Sequence, residues 1–358
     1  MAAPAKVRFT IPGPKDRKAG RLRLVNHTKL LSVRAMGGDL GEVSLTSAAG
    51  EQVPGKITGT GGWRATQVML PASKYTFTAA ATNADGVSTT RTRTFRTTAP
   101  AASDLPAVTP LAGRTVGVGH PIVVYFDYDV EARAMVEENM SVDTSRPVKG
   151  SWGWIDARTV AWRPKKFWPA NTDVTVNLDL AKKRISKGVW VMEDRTIKFR
   201  VGRSQVMRIS NATHQMQVIR DGKTVRTVPV SMGKPGFTTR SGTKVIMTQE
   251  RTRRMDSSTV GISGSESYDL VVEYALRLTS TGEFIHAAPW STHAQGNANV
   301  SHGCTNVSMD NAAWLYSNTL VGDPVVTTGT GRSTEEWNGL GGIWNFSWND
   351  WLARSATS

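Results

Sequence analysis

The sequence predicts a mainly β, modular chain: two antiparallel sandwiches, then a β-rich third region with one main helix and a tryptophan-rich tail. Three observations lead there. The chain has 358 residues, more than one hydrophobic core usually organises. Its first 203 residues break into short runs that alternate between two faces, with turn residues between them. Only one later segment combines a capping residue with a helical apolar pattern.

The runs "KVRFTIPG", "RLRLVN", "KYTFTAAA" and "TTRTRTFRTT" fill the first sandwich, and "HPIVVYFDYDV" and "DVTVNLDL" belong to the second. Turn signals such as Asp85-Gly86 and Pro169-Ala170-Asn171 separate strands of this kind. The Pro/Ala-rich stretch 97–110 has no periodicity and reads as the joint between the sandwiches. A second boundary falls near Gly202, where strand-like sequence runs on almost unbroken. The linker there is therefore short, and the second and third domains are held close. The expected divisions are 1–102, 103–203, 204–330 and 331–358. Trp152, Trp154, Trp162 and Trp168 read as core and inter-domain packing.

In the third region, Asp221-Gly222 between two strand runs marks a tight hairpin. Ser308 caps a helix over "MDNAAWLYSNT", with Ala312, Leu315 and Tyr316 facing inward. Trp337, Trp344, Trp348 and Trp351 are spaced as anchors that brace the tail against the preceding domain.

The formal charge is +15, and residues 1–100 alone carry +10, against +4 for 101–203 and +1 for 204–358. A basic surface attracts polyanions. No helix-turn-helix, zinc-finger spacing or RNA-binding strand pair accompanies it, so nucleic acid is not the expected partner. No run approaches the apolar length of a membrane helix, and the start "MAAPAKVRF" lacks the apolar core of an export signal. The protein is therefore expected either to stay in the cytoplasm or to be numbered after a removed export segment.

Residues 284–308, "FIHAAPWSTHAQGNANVSHGCTNVS", hold three of the six histidines and the only cysteine. One cysteine excludes an internal disulfide and a four-cysteine zinc site. His286, His293, His302 and Cys304 could make a tetrahedral metal site, although their spacing matches no regular ligand pattern. The alternative is nucleophilic catalysis. An imidazole raises the thiolate fraction of a cysteine and then shuttles the proton. Gly303 lets the backbone turn so that consecutive N–H groups converge as an oxyanion pocket. Spacing alone leaves both readings open, together with a non-catalytic binding module.

At "SHGCTN" (301–306), with a histidine eighteen residues upstream of the cysteine, the sequence resembles the active-site signature of the L,D-transpeptidases, whose catalytic domain is of the YkuD type. "IHAAPWSTHAQGNANVSHGCTNVS", "RRMDSST" (253–259), Tyr268 and the tryptophan-rich tail are similar to the mycobacterial, or more broadly actinobacterial, branch. That branch places two immunoglobulin-like domains ahead of the catalytic one. The resemblance implies that Cys304 is the nucleophile and His286 its base, oriented by the Ala287 carbonyl. The N–H groups of Gly303 and Cys304, with the Tyr268 hydroxyl, would form the oxyanion hole. His302, Ser301 and Asn306 would position loop and substrate. Thr281 and Gly282 would lie along the substrate backbone, and Met255 and Trp290 would line the pocket under a flap drawn from 250–275. His293 corresponds to no required position. Two departures are Ala287, where related sequences often carry serine, and Thr305, where an aliphatic residue is usual.

The implied function is peptidoglycan cross-linking through a cysteine thioester, without metal or organic cofactor. Peptidoglycan stem peptides would be the substrates, carbapenems would acylate Cys304, and anionic wall polymers would sit against the basic first domain. The site of action would then be the cell envelope. A thiol hydrolase that uses water as acceptor remains the nearest rival.

Overall fold

The computed structural model describes residues 4–10, 24–58 and 61–358. The first half of "RLRLVN" and the end of "KVRFTIPG" lie outside them. The chain divides into two compact units: residues 1–104 with 182–192, and residues 105–181 with 193–358.

The first unit is a two-sheet sandwich. One sheet orders the strands Lys6–Thr10, Ser32–Met36, Gly62–Ala65 and Gly55–Thr58; the other orders Leu24–Val25, Ser88–Thr97, Lys74–Thr82 and Asp39–Ser47. Alternation decides which side chains fill the interior. Tyr75, Phe77 and Ala79 point in from one strand, and Val33, Trp63 and Ala65 meet them from the facing sheet. The stretch read as the joint, 97–110, contains the division between the two units and also short strands. Ala102–Asp104 forms a strand beside Val189–Val191, which pairs in turn with Lys183–Ser186. Three residues are too few to show a period of two, and their partner lies far along the chain, so no local signal reveals the pairing.

In the second unit, residues 105–181 and 193–201 build another sandwich around Val123, Val160, Val174, Val176 and Phe199. The four tryptophans read as core, Trp152, Trp154, Trp162 and Trp168, are all buried. The remainder holds a five-stranded sheet (Lys223–Pro229, Gln215–Arg220, Gln205–Ser210, Pro324–Thr328, Gly242–Val245) and a four-stranded one (Thr248–Asp256, Asp269–Arg277, Phe284–Ala287, Thr305–Val307). At the hairpin, Asp221 and Gly222 both take positive φ, 47° and 80°, as a type I′ turn requires.

The helix Met309–Asn318 starts at Ser308, whose hydroxyl accepts the Asn311 N–H. It buries Ala312 and Leu315 in a core shared with Met207, Met216 and Val218 of one sheet and Leu276, Ile285 and Val307 of the other. Short helices Arg133–Glu138 and Trp348–Leu352 accompany it. The two parts of this unit meet closely: Gly117 N–H donates to the Val321 carbonyl, and Arg203 pairs with fully buried Asp323 at 2.8 Å.

The tail is expected on the catalytic domain. It packs there and also on the second sandwich. Asn338 bonds Thr281 and Asn345 bonds Thr243, while Trp351 is buried over Gly153 and donates to the Ser151 carbonyl. Buried Arg163 lies over the rings of Trp344, Trp348 and Trp351, at 5.2 to 5.3 Å. A tryptophan count cannot say which surface offers a cationic platform. Among the described residues no helix is long and apolar enough to cross a membrane.

Candidate active site

Parallel strands place the two principal side chains. Phe284–Ala287 runs beside Thr305–Val307 with His286 opposite Asn306. In continued register Cys304 lies opposite Phe284, on the same face as His286 and two residues along. Ideal strand spacing puts their Cα atoms about 8 Å apart, a diagonal that an imidazole and a thiol can bridge. Both line a cavity of about 300 Å³ with Met255, Tyr268, Trp290, Ser301, His302 and Asn306. A second cavity of about 330 Å³ shares Cys304, Tyr268 and His302 with the first and is lined also by Thr281, Gly282 and Gly303. The antiparallel strands Thr248–Asp256 and Asp269–Arg277 form the flap above, and Tyr268 at its tip borders both cavities.

His286 is buried and its Nδ1–H donates to the Ala287 carbonyl at 2.9 Å. A carbonyl can only accept, so Nε2 is left as the basic nitrogen. Burial holds the imidazole below its ordinary pKa against the raising effect of that bond, so it is neutral. Trp290, half exposed, covers it with ring centroids 6.2 Å apart. The Cys304 thiol contacts the Gly282 carbonyl at 3.8 Å. Burial pushes it up to about 12; a backbone hydrogen bond from Phe284 opposes this, the Glu283 charge adds to it, and the Lys244 charge opposes it. The resting pair is thus thiol and neutral imidazole.

The loop is held from both sides. Ser301 Oγ donates to the Cys304 carbonyl at 2.6 Å and accepts the Gly303 N–H at 3.1 Å. The amide assigned to the oxyanion hole is therefore turned onto Ser301 in this resting arrangement, because the short Ser-x-Gly turn satisfies its own donor. Gly303 has φ of +123°, which a residue with a side chain rarely adopts. Its carbonyl accepts from Thr239 Oγ1 at 2.8 Å. His302 points to the flap, where its Nε2–H donates to Glu266 at 2.6 Å and its ring stands between Phe237 and Tyr268. Buried Asn306 donates to Ser291 Oγ, and its side-chain oxygen lacks a partner among the described residues. His293 is exposed and borders the first cavity. Among the described residues, no group of three or more His, Cys, Asp or Glu side chains is placed to share a metal ion.

Comparison with known proteins identifies the arrangement. Residues 23–184 match the bacterial Ig domain model and residues 204–327 the L,D-transpeptidase catalytic domain model. L,D-transpeptidase 2 of Mycobacterium tuberculosis is 34% identical over 330 residues, covering 91% of this chain and 80% of that protein. The chain belongs to the L,D-transpeptidase family. It is therefore a cysteine-dependent acyltransferase by family, and L,D-transpeptidase 1 of M. tuberculosis is 40% identical over 225 residues, 62% of this chain and 84% of that one. Among solved structures, an L,D-transpeptidase in complex with imipenem matches with a TM-score of 0.56 and 38% identity, covering 64% of this chain and all of that one. An L,D-transpeptidase from Mycobacterium smegmatis gives 0.53 and 36%, over 63% and 99%.

This L,D-transpeptidase also carries a network that the sequence reading missed. Behind Cys304, fully buried Lys244 donates to Glu283 at 2.9 Å and to the Arg240 carbonyl at 2.6 Å. Glu283 also receives the Arg240 backbone N–H and Nη1, both at 3.0 Å. Arg240 continues to Glu335 and, through Asn338, to Thr281. Glu283 thus anchors the turn whose Gly282 carbonyl and Phe284 amide meet the thiol. A second missed pair is Glu266 with Lys234, at 2.6 Å, which ties the flap to the loop beneath it and, with His302, holds the Glu266 carboxyl below its usual range. A charged residue inside an apolar strand run, as in "TKVIM" or "GEFIHA", is the available signal. It says that a partner is needed, not which one.

Proposed function

We propose that the protein cross-links peptidoglycan by acyl transfer through Cys304. The single observation that carries this reading is the thiol and the oriented imidazole on adjacent parallel strands, with two cavities that share the cysteine. His286 Nε2 takes the thiol proton as sulfur attacks the carbonyl of the third stem residue, a diaminopimelate, in a donor tetrapeptide. The tetrahedral oxyanion is met by the Cys304 N–H and the Tyr268 hydroxyl, joined by Gly303 N–H once Ser301 yields it. The imidazolium returns its proton to the departing D-alanine amine, leaving a thioester. The side-chain amine of a second stem's diaminopimelate then attacks from the other cavity. It gives its proton to His286, which passes it back to sulfur as the new amide forms.

Met255 and Trp290 would pack against the substrate, Thr281 and Gly282 would flank its backbone, and Asn306 would offer its unpartnered oxygen. The substrate is extracytoplasmic, so the enzyme works in the cell envelope, with wall polymers beside its basic N-terminal third. A β-lactam such as imipenem, which occupies a related enzyme, would acylate the same sulfur.

The test is incubation with a purified disaccharide-tetrapeptide, reading released D-alanine and product mass. Cross-linked dimer that disappears in Cys304→Ala is expected. D-alanine release with tripeptide and no dimer would assign a hydrolase instead. Equal imipenem adduct mass on wild type and Cys304→Ala would remove Cys304 as nucleophile.

A further inference from the structure

The first unit carries a charge arrangement that catalysis does not use. In the sheet that begins with Lys6–Thr10, the registers fix which side chains share a face. Lys6 lies opposite Met36, Arg8 opposite Arg34, and Arg34 opposite Gly62, which faces Thr58. In the next row Thr10 faces Ser32, Ser32 faces Arg64, and Arg64 faces Lys56. The other face holds Val33, Trp63 and Ala65, buried in the core. Lys6, Arg8, Arg34, Arg64 and Lys56 therefore all project outward, and all five are exposed.

Two features separate this face from an ordinary solvated one. Arg8 against Arg34 and Arg64 against Lys56 are like charges directly across a strand pair, a placement that weakens a sheet. And the four strands of this sheet contain no acidic residue. Asp39 and Glu42 lie on a strand of the facing sheet, Glu51 and Asp85 lie in turns, and Asp104 lies on the short strand Ala102–Asp104. Among the described residues, Lys6, Arg8, Lys56 and Arg64 form no ion pair. With strands about 4.8 Å apart and alternate residues about 6.8 Å apart, the five cations form a diagonal band about 20 Å long.

We propose that this band is a docking surface for a linear phosphodiester polymer of the cell wall. The proposal rests on the transpeptidase reading for its location and adds the partner that keeps the enzyme beside its substrate. A band suits an extended chain of regularly spaced anions, and three of its five members are arginines, whose planar fork matches phosphate oxygens. Among the described residues the face presents no aromatic ring on which a nucleobase could stack. Among them Met36 is its sole large apolar side chain, too little to enter a bilayer.

The test is co-sedimentation of the full chain with isolated sacculi that retain their phosphodiester polymers, and with the same sacculi stripped by hydrofluoric acid. Wild type is expected to bind the native sacculi at least tenfold better than the stripped ones, with binding falling steeply as salt rises. The variant Lys6→Gln/Arg8→Gln/Lys56→Gln/Arg64→Gln should lose at least tenfold, with an unchanged or higher melting temperature because repulsion is relieved. Lys29→Gln/Lys74→Gln/Arg91→Gln/Arg93→Gln removes the same charge elsewhere in the unit and should stay within twofold of wild type. Equal loss in both variants, equal binding to stripped sacculi, or preference for vesicles containing phosphatidylglycerol or for a single-stranded oligonucleotide overturns the proposal. Dimer formation from the soluble tetrapeptide, measured on the same preparations, should be unchanged by the four-site variant. Absent dimer with intact sacculus binding refutes the catalytic reading alone. An active enzyme whose four-site variant still sediments refutes the docking surface alone.

Discussion

Replacing Lys244 with methionine isolates what the buried network contributes. The ammonium is completely enclosed and holds Glu283 Oε2 at 2.9 Å, while Glu283 is only 4% exposed and keeps Arg240 as its other cation. Breaking a buried pair from one side typically costs 3–5 kcal/mol, and because Arg240 remains the lower end applies, about 3 kcal/mol. In a unit of this size each kcal/mol moves the melting temperature by about 2–4 °C, so Lys244→Met should melt about 6–12 °C lower. The double variant Lys244→Met/Glu283→Leu removes both charges and should recover most of that fall. The thiol gives an independent reading, because the Lys244 charge lowers its pKa and the Glu283 charge raises it. A charge effect of about 1 kcal/mol would slow iodoacetamide alkylation of Cys304 at pH 9 roughly fivefold in Lys244→Met and speed it by a similar factor in Glu283→Gln. Calorimetry and alkylation rates provide the assay. A melting temperature within 1 °C of wild type, or the same direction of rate change in both variants, would refute the reasoning.

The neutral resting pair predicts a pH profile. With the thiol raised to about 12 and His286 lowered, the thiolate fraction grows about tenfold per pH unit between pH 7 and 9. Log alkylation rate should rise with unit slope, and a plateau above pH 7 would mean a preformed ion pair. Glu266→Gln removes the carboxylate shared by Lys234 and His302; the acylation rate by imipenem should fall about threefold or more, with a melting shift below about 1 °C, since the pair is only partly buried and still screened by water. Gly303→Ala meets no clash, the nearest atom to an added Cβ being the Phe237 carbonyl oxygen at 3.6 Å. The cost is backbone strain of about 1–3 kcal/mol, readable in urea melts together with loss of dimer formation. Trp351→Ala leaves a cavity where a fully buried ring packed and should cost about 3–5 kcal/mol, seen as a lower midpoint for the second unit.

Local rules made much of the molecule readable. Asp221-Gly222 announces its turn because few residues tolerate two positive φ values in succession, and Ser308 announces its helix because a hydroxyl satisfies an orphan amide. Cys304 and His286 were legible through a motif, a contiguous stretch of chemistry. Lys244 and Glu283 are separated by thirty-nine positions, and nothing in either neighbourhood names the other. The same holds for Glu266 and His302, which meet because a flap folds over a loop, and for the strand Ala102–Asp104, too short to show a period.

What the sequence determined by itself is the family, the mainly β modular plan and the candidate nucleophile and base. Each rests on residues close together in the chain or on strict alternation, where short-range sterics and hydrogen bonding decide. What only the tertiary structure decided is how the site is held. The fold turns the Gly303 amide onto Ser301, buries two ion pairs behind the sulfur, carries the tail across to the second sandwich, and gathers five cations on one outward face. Those outcomes depend on register, burial and packing between distant segments, which sequence order does not encode locally.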